Sequence, residues 1–115
     1  MATSTVPAEN KLQEVAITLD STKAAIRNWG RLIARRQGNL LIVCGHGLYT
    51  LVPIANDTDI GTISGVSNIS SVSAPAKVDG QSDPGIVVVG GNTLRILNIQ
   101  NADKATYFTI VVPLY

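Results

Sequence analysis

A single cysteine, Cys44, excludes an intrachain disulfide and a thiolate metal cluster. It lies in an apolar run, which reads as an inert buried thiol. A single histidine, His46, removes most zinc and Ser–His–Asp schemes. Charged residues make up only 15% of the chain, where roughly a quarter is usual for a soluble domain. So little charge beside so much Ile, Val and Leu suggests that some surface is covered by a partner. The aromatics are few as well: Trp29, Tyr49, Tyr107, Phe108 and Tyr115. The core must therefore be built from aliphatic contacts rather than large rings. Long apolar runs are missing. Leu40–Cys44 and Ile86–Val89 are far too short to span a bilayer as helices, and the start, MATSTVPA, has no basic n-region or apolar stretch. Neither a membrane partner nor a signal peptide is expected.

What is present is organised around residues 20–38, DSTKAAIRNWGRLIARRQG. Asp20 and Ser21 offer an N-cap and Gly38 a left-handed C-cap. Ala25, Ile26, Trp29, Leu32, Ile33 and Arg36 recur at helical spacing, which predicts an amphipathic helix with Ile26, Trp29 and Ile33 buried against a sheet. Lys23, Arg27, Arg31 and Arg35 recur every fourth residue on the other side, with Arg36 as a fifth cation. Charge is uneven along the chain. Residues 1–40 carry six cations against three acids, and the remainder three against five. Such asymmetry favours contact between subunits as much as binding of nucleic acid.

Residues 1–8 are small and polar and read as a mobile arm; residues 9–115 read as one α+β domain, mainly antiparallel β sheet or sandwich. Val15–Leu19 is a short β-type run, and Leu40–Cys44 a strand apolar on both faces. Gly45-His46-Gly47 reads as a turn leading to a second strand at 48–54. From 56 to 85 Ser, Gly, Asp, Asn and Thr dominate. Within that segment Ile60, Ile63, Val66, Ile69 and Val72 fall at every third position. Period three suits neither strand nor helix, but three residues per turn, as in polyproline II, would align them on one edge. An edge of that kind needs a partner surface, so these five are candidates for an oligomer interface, three copies meeting on an axis being the favoured form. The C-terminal part is plainly β. Gly91-Asn92 marks a hairpin between 86–90 and 93–100, residues 101–104 a second turn, and Phe108, Ile110, Val112 and Leu114 alternate as a core face.

Cys44 and His46 are two apart, and a nucleophile–base pair there is conceivable, but no third group orients the imidazole. Asp57, Asp59, Asp79 and Asp83 read as solvated loop acids, since Asp57-Thr58-Asp59-Ile60-Gly61 lacks the bidentate acid of a calcium loop. No catalytic, cofactor or metal site is expected. The basic positions Lys23, Arg27, Arg31, Arg35 and Arg36 are the candidate partner-binding residues. They form either a solvated face, a contact to an anionic subunit, or a phosphate-binding stripe without base readout.

The small-residue arm MATSTVPA, the Ser/Gly-rich middle IGTISGVSNISSV and the apolar end YFTIVVPLY give the chain a texture that resembles small virion proteins of tailed phages, of the capsid-decoration or head-fibre type. The resemblance implies a virion structural protein that forms homo-oligomers, trimers above all, and docks on a capsid or another virion protein. The alternatives are a nucleic-acid-binding module using the basic helix face, or a small enzyme or ligand-binding domain near Cys44 and His46.

Overall fold

The computed structural model describes residues 12–115, so the expected arm at 1–8 lies outside the described residues. Eight strands run in chain order: β1 (Gln13–Leu19), β2 (Ala24–Gln37), β3 (Leu40–Thr50), β4 (Thr58–Ser64), β5 (Val72–Val78), β6 (Gly85–Gly90), β7 (Thr93–Leu97) and β8 (Thr106–Pro113). They close into an antiparallel barrel in the order β1-β2-β3-β8-β5-β6-β7-β4, with β4 returning to β1. Closure pairs every strand with two neighbours along at least part of its length, which shortens the open edges that are the usual liability of an all-β chain. β1 makes the closure by changing partner along its length. Gln13–Val15 pair with β2, and Ala16–Leu19 pair with β4.

The expected α+β architecture is overturned: the described residues contain no helix. The proposed helix is a turn followed by β2. Asp20 does cap, but it caps that turn, its carboxylate accepting hydrogen bonds from the Thr22 backbone N–H (3.0 Å) and hydroxyl (2.6 Å). Two features make β2 mimic a helix. A spacing of four is even, so Arg27, Arg31 and Arg35 fit a strand as well as a helix. In addition, both faces of β2 carry apolar residues: Leu32 and Ala34 turn to the core, Ile33 to the outer surface. The expected turn at Gly45-His46-Gly47 is likewise a correction, because β3 runs straight through it.

Three departures from regular pairing shape the barrel. β2 slips against β3 between Ile26 and Arg31, so residues 27–30 form an excursion from the ladder. β3 carries one extra residue, Gly47, against β8. β4 carries one extra residue, Ile60, against β7. This last bulge explains the period of three in part. Inserting a residue turns the strand period of two into three, so Ile60 and Ile63 both point inward and are 1% exposed. Ile69 is buried beside them, and Val66 and Val72 pack partly against the same core. Of the expected oligomer edge, Ile60, Ile63 and Ile69 are thus buried in the protein's own interior, while Val66 and Val72 keep part of their surface exposed. β4 and β5 occupy much of the Ser/Gly-rich segment at 56–85.

Three strand expectations match, whereas the strand expected at 48–54 stops at Thr50 and the one expected at 93–100 stops at Leu97. β1 covers the run at 15–19, β6 and β7 form the hairpin around Gly91 with its positive φ, and Phe108, Ile110 and Val112 of β8 are buried. Apart from Phe108, Thr50 and Thr106 the interior is aliphatic, with Leu41, Val43, Leu48, Val87, Val89, Leu94, Ile96 and Val112 essentially inaccessible to solvent.

Candidate functional site

The outer surface of β2, β3 and β8 is ordered by the pairing register. Arg31, His46 and Tyr107 stand side by side, and Lys77 of β5 follows Tyr107. One row further along lie Ile33, Cys44 and Thr109; then Arg35, Ile42 and Val111; then Gln37, Leu40 and Pro113. The sheet thus presents an aromatic, cationic end and a largely apolar remainder, to which Leu12 adds an exposed side chain.

The aromatic end is the most distinctive site. Trp29 projects from the β2 excursion and is 56% exposed, rather than buried as its spacing suggested. Its ring meets His46 edge-on at 5.6 Å between centroids and lies nearly parallel to Tyr107 at 6.4 Å. His46 and Tyr107 meet each other at 4.9 Å and 64°. These separations are those of favourable ring pairs. The Tyr107 hydroxyl donates to the Asp79 carboxylate at 3.3 Å. Packing of the phenol, together with the neighbouring Asp79 charge, holds the Tyr107 pKa above the ordinary tyrosine value. Chemically this surface offers a flat exposed indole, an imidazole beside it and cations at either end of the row. It can stack on a ring and hydrogen-bond to that ring's rim.

The five basic candidates do not form one stripe. Lys23 lies 3.7 Å from Asp20 and donates to the Asp59 carbonyl. Arg27 is drawn to Asp103, at 3.0 Å from its carboxylate, and lies 4.1 Å over the Tyr49 ring. Arg36 stands beside the buried Leu41 and donates to the Gly38 carbonyl, away from the outer face. Arg31 and Arg35 share the outer face of β2. Two cations four residues apart are a weak phosphate track. Cys44 and His46 do face the same way, but the Cys44 sulfur is met by the Thr109 hydroxyl at 3.5 Å and the imidazole by rings. Among the described residues no group of His, Cys, Asp or Glu is placed to hold a metal ion.

Neither the site role of Tyr107 nor the exposure of Trp29 follows from residue spacing. The usable signal was the glycines. Gly30 follows Trp29, and Gly45 and Gly47 flank His46, and glycine inside a strand often marks a bulge or a close backbone approach.

No family model matches the chain, and no curated protein sequence matches it. The fold is nevertheless shared. The crystal structure of the head domain of phage bIL170, described in connection with a common fold for receptor-binding domains of lactococcal phages, superposes with a TM-score of 0.73 at 15% identity, covering 91% of this chain and all of that one. The likeness is to a phage domain, the class the sequence texture resembled, and does not point specifically to capsid decoration.

Proposed function

We propose that this chain is a receptor-binding domain of a phage virion, and that its receptor surface is the Trp29–His46–Tyr107 end of the outer sheet. The shared fold over 91% of the chain carries the reading. The site chemistry supports it. An exposed tryptophan backed by two other rings, with hydrogen-bonding groups around it, suits a cyclic group that has one apolar face and a polar rim, as a sugar of a cell-surface polymer does. The domain acts by binding rather than by catalysis.

Homo-oligomerisation, with a trimer the expected state, belongs to the same proposal. Its surface is no longer residues 60–72 but the outer apolar rows, where Leu40 and Val111 are exposed. Those rows also support a second reading, in which the chain docks on a virion shell as a decoration or head-fibre subunit. A nucleic-acid role is not favoured, since Lys23 and Arg27 face acids of their own chain.

The two readings separate in one experiment. Fluorescently labelled protein is offered to a panel of bacterial strains, lactococcal strains among them, and to purified phage shells. Strain-selective labelling of cells that is lost in Trp29→Ala supports the receptor reading. Labelling of shells with no labelling of any strain supports the decoration reading instead.

A further inference from the structure

Trp29 is the chain's one tryptophan, and more than half of it faces solvent, yet it is bounded on several sides. Tyr107 lies along its face and His46 abuts it edge-on. The remaining wall is backbone. A Cβ placed on Gly47 would sit 2.8 Å from Cζ3 of the indole and 3.0 Å from Cη2, too close for any residue but glycine without movement of the ring. Gly47 also has a φ of +79°, which L-residues rarely adopt. Across the ladder, a Cβ on Gly30 would overlap the His46 carbonyl oxygen and lie 3.2 Å from the Gly47 Cα. β2 and β3 therefore approach closely at the point where each departs from regular pairing. Bulges of this kind re-aim side chains.

We infer that Gly30 and Gly47 are positioning residues that seat the Trp29 indole as a pre-set anchor for the receptor. The two glycines let the strands close up, and the closed backbone forms the bed on which the ring lies. An exposed aromatic on an ordinary strand would sample several rotamers and lose that freedom on binding. An indole already held by Gly47, His46 and Tyr107 loses little, and affinity gains accordingly. The anchor role rests on the receptor reading above; the seat itself does not.

The test uses the intact chain, whose single tryptophan makes its fluorescence unambiguous. Gly47→Asn places a Cβ against the indole while retaining a residue that tolerates left-handed backbone. Gly65→Asn is the matched control: Gly65 has φ +84° and nothing within 4 Å of its would-be Cβ. In wild type and Gly65→Asn, the time-resolved anisotropy of Trp29 should decay with overall tumbling alone. Gly47→Asn should add a fast nanosecond component and bind receptor-bearing cells about tenfold more weakly. Tyr107→Ala, which removes one wall of the seat, should add the same component. A fast component already present in wild type overturns the seat, and that measurement decides even if Gly47→Asn fails to fold. A freed indole with unchanged cell binding overturns the anchor role. Failure of the wild type to bind any strain overturns the receptor reading and the anchor role with it, while the anisotropy still judges the seat.

Discussion

Gly45 of β3 faces Phe108 of β8 directly across the ladder, and the phenyl ring fills the space that a side chain at 45 would need. Among the described residues Phe108 is the only aromatic ring in the buried aliphatic core, and the missing side chain opposite is what admits it. Gly45→Ala should therefore destabilise the protein by about 1–3 kcal/mol, the usual cost of overpacking, with the midpoint of denaturant unfolding as the readout. An unchanged midpoint would mean that the ring moves aside freely.

Trp29→Ala should behave as a surface change. Spacing alone would have assigned this residue a core deletion cost of about 3–5 kcal/mol. More than half exposed, it should cost no more than about 1 kcal/mol, because what is lost is edge and stacking contact with His46 and Tyr107. Thermal and denaturant unfolding of the variant would check this, and a core-sized loss would contradict the exposed placement.

The basic residues should divide into two groups. Arg27→Ala removes both the Asp103 pair and the contact over Tyr49, and should destabilise by about 1 kcal/mol. Arg31→Ala combined with Arg35→Ala should leave stability within about 0.5 kcal/mol, as surface changes without a special contact do. Salt should weaken the Arg27 effect only in part, since its stacking on Tyr49 buries apolar area as well. Equal losses for the single and the double variant, measured by urea titration, would argue against this division.

Tyr107 gives a pH signature. Its folded-state pKa is raised above the ordinary value, chiefly by packing of the phenol and then by Asp79. A group raised in this way supports the folded state fully below its unfolded pKa, and that support is lost as pH rises through the folded pKa. Stability should therefore fall above about pH 10, the ordinary tyrosine value, and Tyr107→Phe should blunt the fall. Absorbance of the phenolate should show a component that titrates late in wild type and is missing in the variant. Identical alkaline profiles in the two proteins would count against the Asp79 contact.

The parts of the fold that sequence made legible are those where strand alternation runs unbroken and one face is buried. β8 is the clearest, with Phe108, Ile110 and Val112 inward, and the hairpin at Gly91-Asn92 is marked by its turn chemistry. The parts that were hidden lie where a bulge resets the alternation. Ile60, Gly47 and residues 27–30 each break the period of two, and at Ile60 the break imitated a period of three. β2 was hidden further by Ile33, an apolar residue on the outer face, and by cations spaced at an even interval. The aromatic site could not be read at all from spacing. Trp29, His46 and Tyr107 lie on three strands, and only the register that pairs His46 with Tyr107 unites them.

Quenching of Trp29 emission by acrylamide, with and without cell walls, tests the receptor surface most directly. Walls from a strain that the protein labels should shield Trp29 from the quencher, and walls from an unlabelled strain should leave it as accessible as its exposed position implies. Tight binding to the walls with no shielding of Trp29 would place the receptor contact elsewhere on the barrel and contradict the account.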